Sequence, residues 1–310
     1  MKKTLVLLAA GMIPAMLLAV PFTLEPNAPW KKTADDAASI DYKGNKIWKS
    51  LVIKPAEALK PNTLYRITFE AKSTAAPTLV FCGVKAMIHG KKQEIYSKFY
   101  PTTDFQKYTV YFNSGETPEK GKPSIYFNPS DPFQLKVKNI KLDEMTDELL
   151  YGKNLLPEGD FEEGNEFNPY RKEMASFVKI VDDANFLSGE KSLLLDCEPG
   201  KVAQVKTGFV PAIPGKEVEV RFYAKSEDAA RIRVQLDFWM QGSKHYYRAF
   251  KFKPEKEWKE YSLKLKISDD EEKYLALSRK LMCIDFQGSA IAKDGSAKIY
   301  IDNITCTIKK

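Results

Sequence analysis

Polar or aromatic residues alternate with apolar ones between positions 231 and 239. The first set is Arg231, Arg233, Gln235, Asp237 and Trp239, and the second is Ile232, Val234, Leu236 and Phe238. Because a β-strand turns successive side chains to opposite faces, each set shares one face of a predicted strand. Planar hydrogen-bonding groups beside large aromatic rings suit a ligand that has many hydroxyl groups and flat apolar faces, as a sugar has.

Two other segments extend this face. His245, Tyr247 and Lys251 alternate in the next predicted strand, and Asp285 and Gln287 alternate in a later one. An ordinary solvated sheet face would carry similar charges, but large aromatic rings on a polar face are costly to leave uncovered, which favours a ligand. The predicted ligand-binding residues are Arg231, Arg233, Gln235, Asp237, Trp239, Tyr247, Asp285 and Gln287.

The same face also offers residue types that a catalytic site requires. A polysaccharide lyase would need a base such as His245 or Tyr247 beside Arg233 and Gln235, and a glycosidase would need the pair Asp237 and Asp285. The chain has only two histidines, and it lacks Cys/His metal-ligand spacing, a phosphate-binding glycine loop and a serine nucleophile elbow. We therefore predict no catalytic residues.

The strands that hold these residues belong to a repeat. Phe69-Glu70-Ala71-Lys72-Ser73 returns as Phe222-Tyr223-Ala224-Lys225-Ser226, an offset of 153 residues, and Lys98-Phe99-Tyr100-Pro101 returns as Lys251-Phe252-Lys253-Pro254 with the same offset. A period of this length matches a whole domain and exceeds that of a solenoid repeat. The chain is predicted to contain two copies of one module.

Short segments with period-two apolar residues fill both copies, and turn residues separate them, which is typical of a sheet protein. We predict an all-β protein of two tandem antiparallel β-sandwich (jelly-roll) domains. The predicted parts are a signal peptide at 1–19, a first sandwich at 20–146, a linker at 147–153 and a second sandwich at 154–310. Helical patterns occur only at 33–38 and 269–278.

The N-terminus and the composition predict the location of the protein. Lys2 and Lys3 precede a short apolar stretch, which is the pattern of a bacterial-type signal peptide, and no later stretch is long enough to span a membrane. We expect a secreted or periplasmic protein.

The charge and the cysteines bound the partners and the cross-links of the mature chain. Loss of Lys2 and Lys3 lowers the net charge from +7 to +5, and the remaining basic residues form no cluster, so no nucleic-acid partner is expected. Cys197, Cys283 and Cys306 could supply one disulfide, but the sequence does not pair them.

The stretch from Asn154-Leu155-Leu156-Pro157 to Gly159-Asp160-Phe161-Glu162 resembles the opening of family 4 and 9 carbohydrate-binding modules, which are galactose-binding-like jelly rolls. Similar marks follow in order at 189–195, 214–226, 258–261 and 301–304. The resemblance is clear for the second copy and diffuse for the first. It implies a non-catalytic protein that binds a glycan or polysaccharide, with a secreted glycoside hydrolase as a partner.

The resemblance also implies a structural calcium ion in the second domain, held by Asp160, Glu162 and Asp302. In the first copy Lys138 takes the place of Asp302, so no metal is expected there. The strand 79–87 appears apolar on both faces, and we expect it to be covered on both sides. The first copy would then be a spacer or a docking surface. A structural or surface-assembly protein without a glycan ligand is the alternative function.

Overall fold

The computed structural model describes residues 19–26, 30–42, 50–74, 79–88, 91–116, 125–129, 133–164, 167–169, 174–239, 245–268 and 280–310. Its strands form four sheets, and every pairing between two named strands is antiparallel. Two sheets use only residues before 145, and the other two use only residues after 166. The predicted fold class, two tandem antiparallel β-sandwiches, is confirmed.

Ten strands of the first domain lie in the described residues. They are β1 (Phe22–Pro26), β2 (Lys31–Ala34), β3 (Ala37–Tyr42), β4 (Leu51–Pro55), β5 (Leu64–Ser73), β6 (Val80–Ile88), β7 (Lys91–Phe99), β8 (Gln106–Asn113), β9 (Ile125–Pro129) and β10 (Phe133–Glu144). One sheet has the order β1-β4-β9-β6-β7, and the other has the order β2-β3-β10-β5-β8.

The second domain follows a short helix, α1 (Asp147–Leu150). Its strands are β11 (Phe167–Pro169), β12 (Val178–Val181), β13 (Ser192–Cys197), β14 (Ala203–Thr207), β15 (Val210–Pro211), β16 (Glu217–Lys225), β17 (Ala230–Trp239), β18 (His245–Phe252), β19 (Lys259–Lys266), β20 (Leu281–Ala290) and β21 (Ala297–Lys309). The sheet orders are β11-β14-β20-β17-β18, with β15 beside β20, and β12-β13-β21-β16-β19.

The same aromatic cluster fills the core of each sandwich. Phe69 stacks on Tyr108 with ring centroids 5.6 Å apart and meets Phe127 edge-on at 4.8 Å. Phe222 stacks on Tyr261 at 5.6 Å and meets Phe286 edge-on at 5.1 Å. Offset and edge-to-face rings add to the apolar burial that holds two sheets together. The sequence repeat is therefore a repeat of core packing.

Two local predictions are wrong. The helical pattern at 33–38 instead forms a hairpin, in which Asp35 and Asp36 make the turn between β2 and β3, and β3 pairs with β10. Pairing with β10 buries Ala38 and Ile40, and this tertiary gain outweighs the helix preference of the alanines. The strand 79–87 is not covered on both sides, because Val80, Cys82 and Val84 face the core while Lys85 is exposed.

Other features complete the sequence predictions. The predicted linker contains α1, whose Leu150 is buried, and Tyr151 forms a bridge to Ile308. All four cysteines are free and buried, so none of the three candidates forms a disulfide. The helical pattern at 269–278 and nearly all of the predicted signal peptide lie outside the described residues. Among the described residues, no helix has the length and apolarity that a membrane crossing requires.

The two sandwiches contact each other through the edge strands β7 and β8. The backbone N–H of Lys107 donates to the carbonyl of Glu163 at 3.2 Å, and the side chains of the same two residues form an ion pair. The buried Tyr111 hydroxyl donates to the Leu155 carbonyl at 3.0 Å, and the Phe209 N–H donates to the Ser97 hydroxyl at 3.1 Å. The contacts therefore cover one edge of each sheet of the first domain.

Candidate functional site

The predicted ligand-binding residues all lie on the sheet β11-β14-β20-β17-β18. The strand register brings Lys206, Asp285 and Gln235 directly opposite one another on β14, β20 and β17. The next row along the strands contains Gln204, Gln287 and Arg233. Cross-strand neighbours share a face, so these six side chains form one polar patch on the side of the sheet that faces away from the core.

A buried ion cluster lies at the centre of this patch. The Lys206 ammonium is 2.5 Å from the Asp237 carboxylate and 4.0 Å from the Asp285 carboxylate. The side chains of Lys206, Asp237 and Asp285 are 12%, 2% and 1% exposed. Buried charges require compensation by opposite charge and hydrogen bonds, and here the Lys206 ammonium lies near both carboxylates.

Amide groups complete the surroundings of Asp285. The side-chain nitrogens of Gln204 and Gln287 donate to its Oδ2 at 2.6 Å and 3.1 Å, and Arg233 donates to the Gln287 Oε1 at 3.2 Å. Burial raises the pKa of Asp285 above its ordinary value, although the Lys206 ammonium and the two amides oppose this shift. The chain of hydrogen bonds fixes the orientation of both glutamines and of the Arg233 guanidinium.

An aromatic edge borders the polar patch. The Tyr247 side chain is 46% exposed, and the Arg233 guanidinium lies 5.3 Å from the centre of its ring. Arg231 and Lys251 are also exposed on this side. Trp239 pairs with His245 at the end of β17, and the structure describes the backbone of these two residues but not their side chains. The patch thus joins fixed planar hydrogen-bonding groups to an accessible ring.

The structure buries three of the predicted ligand-binding residues. Gln235, Asp237 and Asp285 are buried, and on β14 Gln204 donates to Asp285 while Lys206 pairs with Asp237. Lys206 and Gln204 were missed as site residues. Their signal was present in the sequence, since they alternate with Ala203, Val205 and Thr207 in the period-two pattern of a half-buried strand.

The residues predicted to hold calcium lie between the opening segment of the second domain and β21. The Glu162 Oε1 accepts the N–H groups of Glu190 and Lys191 at 2.9 Å and 3.0 Å, and the Lys191 ammonium donates to the Glu162 carbonyl at 2.7 Å. Gly189 permits this approach, because a Cβ there would lie 2.2 Å from Glu162 Oε1 and its φ is +71°. Glu162 therefore acts as an anchor for the 189–191 loop.

Asp302 is engaged in the same way. Its Oδ2 accepts the N–H groups of Leu187 and Ser188 at 2.8 Å and 3.3 Å, and its Oδ1 accepts the Asn303 N–H at 2.6 Å. Burial raises its pKa, and these three donors oppose the shift. Within the described ranges, no group of three His, Cys, Asp or Glu side chains has the arrangement of a metal site. This donor set, satisfied by N–H groups, does not fit calcium as it stands, and calcium at Asp160, Glu162 and Asp302 stays a prediction.

The second domain is similar to a known family of protein domains. Residues 153–279 match the carbohydrate-binding domain family CBM_4_9. No curated protein is similar enough to match the chain. The family match contains most of the polar patch, including β14, β17 and β18, and it ends just before β20.

Solved structures of several carbohydrate-binding modules are similar to the chain. The N-terminal CBM22-1-CBM22-2 tandem domain from Paenibacillus barcinonensis Xyn10C is 13% identical and has a TM-score of 0.37, and the match covers 94% of this chain and 98% of that one. The family 11 module from Clostridium thermocellum, in complex with a beta-1,3-1,4-mixed-linked tetrasaccharide, is 18% identical with a TM-score of 0.34 over 48% of this chain and 92% of that one. The chain is a tandem of two jelly rolls similar to carbohydrate-binding modules, of which the second matches the family and the first has diverged.

Proposed function

We propose that this protein is an exported, non-catalytic glycan-binding protein whose ligand occupies the polar patch of the second domain. The observation that carries the proposal is the fixed Arg233 guanidinium between Gln287 and the exposed Tyr247 ring. A sugar offers hydroxyl groups to planar donors and acceptors, and its C–H face packs on an aromatic ring. The patch offers both kinds of contact within one short stretch of sheet.

Prior ordering of the patch favours binding. Arg233 is held by a hydrogen bond and by a ring contact, so little side-chain entropy is lost when it meets a ligand. The buried cluster of Lys206, Asp237 and Asp285 supports this arrangement through the hydrogen bond from Gln287 to Asp285, and it does not need to touch the ligand. Arg233, Tyr247, Arg231 and Gln287 are the proposed contact residues, and Trp239 extends the aromatic edge by its position on β17.

The geometry of the acids supports binding without catalysis. A glycosidase needs two carboxyl groups that reach the glycosidic bond, one of them as an acid and the other as a base or nucleophile. Asp237 and Asp285 are at most 2% exposed and share the Lys206 ammonium, so they are placed for structure and not for access to a substrate. Secretion is proposed from the N-terminal pattern, and mass spectrometry of the exported protein should find a mature N-terminus close to Val20.

The alternative of an assembly protein without a glycan ligand predicts that the first domain covers the aromatic edge. Tyr247 is instead 46% exposed, and the domain contacts involve β7, β8 and the residues next to β14. The exposure of Tyr247 favours the glycan ligand.

Retention of the full chain in native gels that contain soluble polysaccharides tests the proposal. Mixed-linkage β-glucan, xylan and β-1,4-galactan serve as probes, together with the variants Tyr247→Ala and Trp239→Ala. Tyr223→Ala is the matched control, since Tyr223 is a partly exposed tyrosine on the other sheet of the same domain. We expect wild type and control to be retained by at least one probe and the two site variants to lose retention. Equal retention of all four proteins, or retention of none on these gels and on a glycan array, would overturn it.

A further inference from the structure

In the part of the chain that the structure describes, the accessible ions on the face of the polar patch are all cations. Arg231 and Lys251 are exposed and Arg233 is partly exposed, whereas the side chains of Asp237 and Asp285 are at most 2% exposed. No carboxylate among the described residues lies within ion-pair distance of the three cations. A ligand on this face therefore meets positive charge before it meets either carboxylate.

The strand register brings the three cations together. Arg233 pairs with Lys251 across β17 and β18, and Arg231 lies two positions before Arg233 on β17, so it shares the same face. Neighbouring strands are about 4.8 Å apart, and two residues along a strand span about 6.6 Å. The cations thus occupy adjacent positions, close enough for one sugar chain to contact all three.

Arg233 keeps hydrogen-bond donors for a ligand. Its Nη1 donates to the Gln287 Oε1 at 3.2 Å, and its guanidinium lies 5.3 Å from the centre of the Tyr247 ring. Within the described residues, the remaining N–H groups of this guanidinium have no hydrogen-bond acceptor. A guanidinium presents its donors in a planar fork that matches an anionic oxygen pair, so Arg233 is suited to a charged group on a sugar.

The buried carboxylates do not cancel the charge of the exposed cations. The Lys206 ammonium lies 2.5 Å from Asp237 and 4.0 Å from Asp285, so this cluster has at most one excess negative charge. Burial raises the pKa of Asp285, which favours its neutral form. The three exposed cations therefore leave the face with a net positive charge.

We infer that the face of the polar patch recognises an acidic polysaccharide, whose sugars carry carboxylate or sulfate groups, through Arg231, Arg233 and Lys251. The inference rests on the proposed function and names the class of glycan that the same face binds. Hydrogen bonds to an ionised group are roughly twice as strong as those between neutral groups. An anionic ligand also relieves the mutual repulsion of three neighbouring cations, which a neutral sugar cannot do.

Pairs of polymers that differ only in charge test the inference. Full-length wild type is run on native gels that contain polygalacturonate, alginate or κ-carrageenan. Parallel gels contain the same polymers after reduction of the carboxylates to alcohols or removal of the sulfate esters. At least one charged polymer should retain the protein roughly tenfold more tightly than its neutral form, a difference of about 1.4 kcal/mol. High salt should weaken this retention, because it screens exposed charges.

Variants then locate the charge effect. Arg231→Gln/Lys251→Gln should weaken retention by the charged polymer roughly tenfold and leave any retention by the neutral form unchanged. Lys264→Gln is the matched control, since Lys264 is a half-exposed lysine on the other sheet of the same domain. Thermal unfolding shows whether each variant is folded.

Polyacrylate, a polyanion without sugars, controls for general attraction to the chain, whose net charge is +7. Equal retention by polyacrylate and by the charged polysaccharides would overturn the inference. Unchanged retention of the double variant by the charged polysaccharides would also overturn it. Retention by polygalacturonate or alginate would identify carboxylate as the recognised group, and retention by κ-carrageenan alone would identify sulfate.

The remaining outcomes separate the inference from the proposed function. If charged and neutral forms retain wild type equally, and Tyr247→Ala abolishes both, the inference is wrong and the proposed function stands. If neither form retains wild type, and the neutral polysaccharides and the glycan array also fail, the proposed function falls and the inference falls with it. Retention by charged forms that both Tyr247→Ala and the double variant weaken would support the two proposals together.

Discussion

Lys206→Met removes the only cation within 4 Å of two buried carboxylates among the described residues. In the wild type its ammonium lies 2.5 Å from Asp237 and 4.0 Å from Asp285, and all three side chains are at most 12% exposed. Methionine keeps most of the length and apolar volume of lysine, so the change in charge dominates the effect.

The expected loss follows from the burial of the pair. Removing one partner from a buried ion pair costs about 3–5 kcal/mol, because the remaining charge is uncompensated. For a domain of this size, each kcal/mol lowers the melting temperature by about 2–4 °C, so the second domain should melt about 6–20 °C lower at pH 7. Lys201→Met is the matched control, since the Lys201–Glu198 pair is 2.7 Å long but more than half exposed and should contribute no more than about 1 kcal/mol.

The pH dependence identifies the cause. Burial already raises the pKa of Asp285, and loss of the ammonium would raise it further. Protonation of Asp285 as the pH falls should therefore reduce the stability loss of the variant. Near pH 4 the carboxyl groups of the unfolded chain also become protonated, and the difference between variant and wild type should shrink. The double variant Lys206→Met/Asp237→Asn removes one of the two carboxylate charges that Lys206 faces and should recover part of the loss.

Differential scanning calorimetry of the full chain at pH 7 and pH 4 measures these differences. A Lys206→Met loss no larger than that of Lys201→Met would refute the buried-cluster argument. So would a loss of equal size at both pH values, because Asp285, whose pKa burial already raises, must respond to protonation once the ammonium is gone.

Three further outcomes are expected. Asp285→Asn should raise the stability at pH 7 and have no effect near pH 3, because a raised folded-state pKa destabilises the ionised form only above the ordinary pKa of the carboxyl group. The asparagine oxygen can still accept hydrogen bonds from Gln204 and Gln287. A loss of stability at pH 7, measured by urea unfolding, would contradict this prediction. Phe222→Ala and Phe69→Ala should each lower the free energy of unfolding of their domain by about 3–5 kcal/mol, because both rings are at most 2% exposed and make equivalent contacts in the two cores. Calorimetry that shows a loss of stability in one domain alone would contradict this equivalence. Chelation with EDTA should leave the melting temperature of the full chain unchanged, because N–H groups already satisfy Oε1 of Glu162 and both carboxylate oxygens of Asp302, and a fall of several degrees would establish the calcium ion that the resemblance implies.

The sequence predicted the features that depend on local period and on the repeat. Alternation along 231–239 gave the correct strand and the correct faces, and the 153-residue offset aligned Phe69 with Phe222 and Tyr108 with Tyr261. Both signals depend on neighbours in the chain or on a second copy of the same pattern. The hairpin at β2 and β3 was missed because β3 pairs with β10, about 95 residues away in sequence, and β2 pairs only with β3 among the described strands.

The grouping of the candidate residues was predicted in part. Arg233, Tyr247 and Gln287 lie together on one sheet face, as their alternation predicts. Lys206 and Gln204 were not predicted to join them, and neither was the burial of Asp237 and Asp285. In the folded sheet β14 lies beside β20, and this neighbourhood brings the Lys206 ammonium close to the two carboxylates. The sequence does not show which strands become neighbours.

Sequence alone determined that the chain is a repeated, alternating β protein with a polar and aromatic face, because these properties follow from residue period and composition. Tertiary structure decided which polar groups are buried and which are accessible. It placed the Lys206 ammonium beside two buried carboxylates on the second-domain face. Burial and charge compensation depend on which strands become neighbours across a sheet, and that choice is made by the packing of the whole sandwich and not by any one segment.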